Sequence, residues 1–203
     1  MPTPRRKAFT LIEVLIASAI FLMMLTAIYQ TLLLAIRHYH KIRDAAEIQG
    51  EALRVLNHVE GALSDAAAVT VKTNPNLLAD IRDRYILFVS AEPPGVYFDA
   101  DATDGKPKWQ RIVCFYVVER PSDRHLLLMR KDKMLPTPLS TALPGSLPTR
   151  DDMKNDPSLP TRILTDNLTE VAFGESTSIA FKLGVLSEKN NGLTVYTRVT
   201  PRL

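Results

Sequence analysis

An α+β fold is predicted, with one long N-terminal helix laying its second half on an antiparallel sheet. Three observations predict it. The 23 residues from Val14 to Ile36 contain no charge, no glycine and no proline. No proline occurs between Pro4 and Pro75, so a helix can run on past the apolar stretch as one rod. Beyond Tyr85 the chain turns to short β-branched and aromatic runs separated by proline, glycine and Asx residues.

The apolar stretch is long enough to span a bilayer core. Past Ile36 the pattern becomes amphipathic. Tyr39, Ile42, Ile48, Ala52, Leu56, Val59, Leu63 and Ala66 recur at three- and four-residue steps with one longer gap. Arg43, Asp44, Glu47, Glu51, Arg54 and Asp65 fall mostly on other faces. Gly50 and Gly61 each weaken the helix by about 1 kcal/mol relative to alanine, which packing on the sheet must offset. A helix from Phe9 to about Ala67 would be about 85–90 Å long. The organisation expected is a leader at 1–8, a transmembrane helix at 9–36, its amphipathic continuation at 37–68 and an α+β head at 69–203.

Within the head, Tyr85 to Ala91 is a short apolar run ended by Pro93-Pro94-Gly95, and Gln110 to Glu119 is the strongest strand candidate. Arg124 to Arg130 follows Pro121-Ser122-Asp123, which predicts a hairpin. Residues 132–162 hold six prolines and no sustained periodicity, so a long loop is expected there. Ile163, Leu164, Leu168, Val171 and Phe173 then lead to a strand from Ser178 to Leu186. The turn Lys189-Asn190-Asn191-Gly192 and a final strand, Leu193 to Thr200, close the chain.

Composition narrows the class. The chain has 203 residues and a net charge of +3, the charge of Arg5, Arg6 and Lys7 alone, so the remainder of the chain is balanced. The sequence pI of about 9.0 is therefore weak evidence for nucleic acid binding. Those three cations favour a cytoplasmic N-terminus at an anionic membrane surface, although Arg37, Lys41 and Arg43 follow the span. Cys114 is the single cysteine, which excludes an internal disulfide, and its apolar run places it in a buried strand.

The densest information lies in Arg5-Arg6-Lys7-Ala8-Phe9-Thr10-Leu11-Ile12-Glu13. A basic leader meets a small residue, a phenylalanine opens an apolar helix, and one carboxylate stands near the start of that helix. Glu13 in a membrane costs a few kcal/mol unless something compensates, less at the interface than at the centre. It needs a partner.

This arrangement closely resembles the prepilin signature of type IV pilins and type II secretion pseudopilins, a small residue followed by Phe-Thr-Leu-Ile-Glu. Phe9 to Glu13 matches residue for residue; Ala8 departs from the usual glycine. The resemblance implies a pilin-like fold, cleavage between Ala8 and Phe9 by a prepilin peptidase, and N-methylation of Phe9 by the same peptidase/methyltransferase. It implies that Glu13 meets the Phe9 amino group of a neighbouring subunit during assembly. Partners would be other pilins or pseudopilins and an inner-membrane assembly platform. The chain would be a single-pass inner-membrane protein with a periplasmic head, incorporated into a filament. The order of the later segments, through Arg130 to the closing Arg198-Val199-Thr200-Pro201-Arg202, looks like the larger minor subunits of the J-type pseudopilin and W-type minor pilin kinds. A minor type II secretion pseudopilin is the reading favoured; a minor pilin of a type IV pilus, serving motility, adhesion or DNA uptake, is the alternative.

Other readings explain less. Ala17-Ser18-Ala19 offers a signal-peptidase pattern, but only Phe9 to Ile16 would precede it as an apolar region, with Glu13 inside. A plain signal anchor leaves Glu13 unexplained. Asp99, Asp101 and Asp104 beside Gly105 are weak candidates for a Ca²⁺ loop, with one residue too many for the EF-hand spacing; no other metal or cofactor is expected. His38, His40, His58 and His125 have no metal-ligand spacing, and no catalytic triad or phosphate loop is visible. The protein is read as a non-enzyme. Trp109 and Tyr97 near Lys106 and Lys108 could stack bases, but aromatics at strand edges more often serve packing, and nucleic acid is not expected as a partner.

Overall fold

The computed structural model describes residues 10–74, 80–91, 105, 107–139, 147–174, 179–186 and 192–201. Two compact units make up the chain, Met1–Ala45 and Ala46–Leu203. A single helix, α1 (Leu11–Ser64), runs from the first into the second.

In the first unit the described apolar side chains, from Leu11 through Phe21 to Ile42, are exposed along the whole helix. Helix α1 is long and apolar enough to cross a membrane. In hydrocarbon a backbone must satisfy its own polar groups, as a helix does. The serine and threonine hydroxyls within the apolar stretch are satisfied by backbone carbonyls of the same helix. Ser18 Oγ donates to Leu15 O at 2.9 Å, Thr26 Oγ1 to Leu22 O at 2.7 Å and Thr31 Oγ1 to Ala27 O at 2.8 Å.

The second unit is the α+β head. Its strands are β1 (Lys72–Thr73), β2 (Tyr85–Ser90), β3 (Trp109–Glu119), β4 (Leu126–Leu139), β5 (Thr161–Gly174), β6 (Ile179–Leu186) and β7 (Gly192–Val199). They form one antiparallel meander in chain order. A short helix, α2 (Arg150–Asn155), lies between β4 and β5. The hairpin predicted around 121–123 forms, with Val117 paired to Leu128, and β5 pairs with β6, Phe173 opposite Phe181. The turn at 187–191 is outside the described residues, but Leu186 and Gly192 on either side of it are paired.

Each face of the sheet carries a core. On one face Ile48, Ala52, Val55, Val59, Ala62 and Leu63 of α1 pack on Phe88, Phe115, Leu128, Val171, Phe181 and Leu183. Each fully buried side chain of this size contributes about 1.5–3 kcal/mol. The stripe begins at Ile48; Tyr39 and Ile42 are exposed. On the other face Leu87, Val89, Trp109, Ile112, Cys114 and Tyr116 pack with Met153 of α2 and with Leu147 and Leu159 beside it. The unbroken run Ile112 to Val118 is the sign of this second core, because a strand buried on both faces does not alternate. Lys131 fastens α2 down: it is buried, and Nζ donates to the carbonyls of Lys154 at 2.8 Å and Asp156 at 2.7 Å at the end of that helix.

Two expectations are corrected. The stretch 132–162 is not one long loop. Strand β4 continues to Leu139 through Pro136 and Pro138, α2 occupies Arg150–Asn155, and β5 begins at Thr161. The prolines are accommodated because Met134 pairs with Arg111 and Leu139 with Trp109, so residues 135–138 oppose Gln110 alone. Within that irregularity they break no ladder bond. Pairing with β5 begins only at Lys131, opposite Thr161. The second correction is to the helix, which ends at Ser64 rather than near 68. There the backbone changes partner: Ala67 N donates to Val89 O at 2.9 Å and Ala91 N to Asp65 O at 3.0 Å, tying the chain to β2.

Candidate functional site

The N-terminal segment carries the chemistry the sequence singles out. Ala8 and Phe9, the expected processing pair, and the leader cations Arg5, Arg6 and Lys7 lie outside the described residues. So do Asp99, Asp101 and Asp104. Glu13 is described. It stands in the first turn of α1, where the positive end of the helix dipole favours a carboxylate.

Thr10 meets it there. The Thr10 backbone N donates to Glu13 Oε2 at 2.8 Å and Thr10 Oγ1 donates to the same oxygen at 3.0 Å. In return Glu13 N donates to Thr10 Oγ1 at 3.4 Å. This is a reciprocal capping box, which satisfies two backbone donors that the start of a helix otherwise leaves open. Both Thr10 bonds converge on one carboxylate oxygen, and among the described residues nothing meets Oε1. Thr10 is a helix-capping partner that the reading of Glu13 as an isolated charge misses. Its signal is local: Thr10-Leu11-Ile12-Glu13 has the Thr-x-x-Glu form that marks such a box.

In the head, polar pairs ring the α1 core. Thr165 Oγ1 of β5 donates to Glu51 Oε1 at 2.5 Å, and Thr197 Oγ1 of β7 lies 3.5 Å from Glu60 Oε2. His58 Nε2 lies 3.0 Å from Arg130 Nη1. Arg130 Nε donates to Asp132 Oδ1 at 2.7 Å, and Arg111 Nη1 reaches Asp132 Oδ2 at 3.3 Å. The contacts of Glu51, Glu60 and His58 tie the helix to the sheet, and those of Asp132 lie within the sheet.

Cys114 is buried as expected, and loss of hydration pushes its thiol up to about 12. A thiol held so far above neutral pH is a packing group, not a nucleophile. An open polar groove lies between Asn74, Asp83, Tyr85, Thr149, Arg150 and Asp151. Its carboxylates are engaged by Arg150, whose Nη1 is 3.3 Å from Asp83 Oδ1 and Nε 3.0 Å from Asp151 Oδ1. The histidines do not converge, and among the described residues no group of three or more His, Cys, Asp or Glu side chains is placed to hold a metal.

Residues 3–29 match the prokaryotic N-terminal methylation motif, the type IV pilin-like prepilin signal. The match includes Thr10 and Glu13. No curated protein and no solved structure matches the chain. The motif, the single N-terminal apolar helix and the α+β head together point to a structural subunit of the pilin or pseudopilin class. A prepilin motif implies processing by a prepilin peptidase and assembly with other pilins.

Proposed function

We propose that the chain is a minor, non-enzymatic subunit of a type II secretion pseudopilus that aids protein export. In this reading it is cut between Ala8 and Phe9, N-methylated on Phe9 and held in the inner membrane by 9–36 with its head in the periplasm. Assembly proceeds through α1, with the Glu13 carboxylate pairing with the Phe9 ammonium of a neighbouring subunit. An ion pair in hydrocarbon is strong only when both partners are present, so this contact favours the assembled state over the isolated helix. The carrying observation is the methylation motif over 3–29, which takes in the start of a helix that ends docked on an antiparallel head. The order of the segments through Arg130 to the closing Arg198-Val199-Thr200-Pro201-Arg202 supports a minor subunit, of the J-type pseudopilin or the W-type minor pilin kind alike.

Mass spectrometry of the mature protein tests the processing step: a chain beginning with methylated Phe9 is expected, and Ala8→Leu is expected to block the cut. Glu13→Gln is expected to leave cleavage intact and to deplete the protein from sheared filaments. Retention of residues 1–8 in cells that possess the peptidase overturns the proposal. Deletion of the gene is expected to reduce protein secretion; lost surface pili with intact secretion would move the subunit to a type IV pilus.

A further inference from the structure

We propose that His58 makes the docking of α1 on its sheet sensitive to acid, a property that stands whichever filament the chain joins. His58 lies at the helix–sheet seam, with Nε2 3.0 Å from Arg130 Nη1. An arginine nitrogen only donates, so Nε2 accepts and the imidazole is neutral in this arrangement. Arg130 is not free to withdraw. It is 4% exposed, its Nε is bound to Asp132, and its guanidinium lies 5.7 Å from the centre of the Phe115 ring. The same ring receives His58 edge-on, at 6.5 Å and 87°.

Among the described residues, charged side chains on four elements are placed around this seam. Helix α1 carries Arg54 one turn before His58, Glu51 two turns before and Asp65 two turns after. Strand β3 carries Arg111, in step with Val113 and Phe115. Strand β4 carries Arg130 and Asp132, and β5 places Arg162 opposite Arg130. Asp132 is shared between Arg130 and Arg111, and Glu51 accepts from Thr165. A proton on His58 removes the acceptor for Arg130 and sets two cations 3.0 Å apart in a half-buried seam. The unfolded chain takes up that proton at an ordinary histidine value of about 6.5. Stability from this contact is therefore complete well above that pH and is lost as pH falls through it. A ring that stays neutral in the folded head down to pH 5.5 lowers the folded-to-unfolded ratio about tenfold between pH 7.5 and 5.5.

The test is urea denaturation of the full chain in detergent micelles, followed by the fluorescence of Trp109, the single tryptophan, for the wild type and His58→Gln. The glutamine carbonyl accepts from Arg130 and does not titrate. The wild type is expected to lose up to about tenfold more of its folded-to-unfolded ratio over this span than the variant. In parallel, the His58 ring resonance of the wild type, assigned through its contacts to Phe115, is expected to remain neutral at pH 5.5. Equal pH dependence of the two proteins, or a ring that titrates at or above the ordinary histidine value, overturns the proposal. Should His58→Gln not fold, the wild-type ring titration decides alone.

Discussion

One substitution, glycine to alanine, is expected to change stability in opposite directions at three positions of the head. At Gly50 and Gly61 of α1 an added Cβ meets nothing within 4 Å. Alanine there removes unfolded-state entropy and costs no packing, so each change stabilises the head by about 1 kcal/mol. The two sites are three helical turns apart with no shared partner, and the double variant is expected to gain about 2 kcal/mol. At Gly184 of β6 the same Cβ lies 2.6 Å from Thr169 Oγ1, 3.0 Å from Glu170 Cβ and 3.2 Å from Glu170 N. The Thr169 hydroxyl can rotate away; the Glu170 backbone cannot, because it is held by pairing with Gly184 itself beside the irregularity between Leu168 and Glu170. Overpacking of this kind costs about 1–3 kcal/mol. Urea denaturation of the three variants in micelles, read by Trp109, separates the signs. A Gly184→Ala protein as stable as wild type, or a Gly61→Ala protein less stable, would refute the account of where this head is tightly packed.

Two further outcomes are expected. Cys114, pushed up to about 12 by burial, should resist alkylation at pH 8 in the native chain and react as urea unfolds it; rapid native labelling, followed by mass, would contradict its place in the second core. Arg124 has φ 60° in the turn between β3 and β4, where Arg120 N donates to His125 O at 2.8 Å and Asp123 Oδ1 accepts from His125 N at 3.1 Å. Arg124→Gly relieves that left-handed backbone and should raise stability by about 0.5–1 kcal/mol in the same denaturation assay.

The fold class and most of its strands were legible because their physical signals are local. An uncharged stretch ahead of a proline-free amphipathic helix, followed by β-branched runs, leaves few arrangements that bury both kinds of apolar face. The second core was less legible. Ile112 to Val118 announces a strand covered on both sides, yet nothing within that run says that Met153, Leu147 and Leu159 supply the cover. Those residues sit in the proline-rich stretch, where local rules point to a loop. Pro136 and Pro138 are poor strand residues by propensity, and only the three-residue excess opposite Gln110 makes room for them. That excess depends on pairing with a distant strand and leaves no periodic trace in the sequence.

Glu13 shows how reading one residue as a lone charge can hide its neighbour. Read as a charge in hydrocarbon, it calls for a positive partner from another chain. Read as the third helical residue after a threonine, it also belongs to a local box, and that box is what the described residues contain. The two roles do not compete for the same atoms. Thr10 occupies Oε2 with two donors, whereas an ammonium approaching from a second subunit needs one acceptor and can take Oε1. The box also holds the carboxylate against the helix end, so little side-chain freedom would remain to be lost in the proposed pairing with a neighbour. Placing a carboxylate at the first turn lowers its cost in the isolated helix through the dipole and the cap. The same position leaves it at the edge of the apolar stretch, where the charged terminus of the proposed neighbour would meet it.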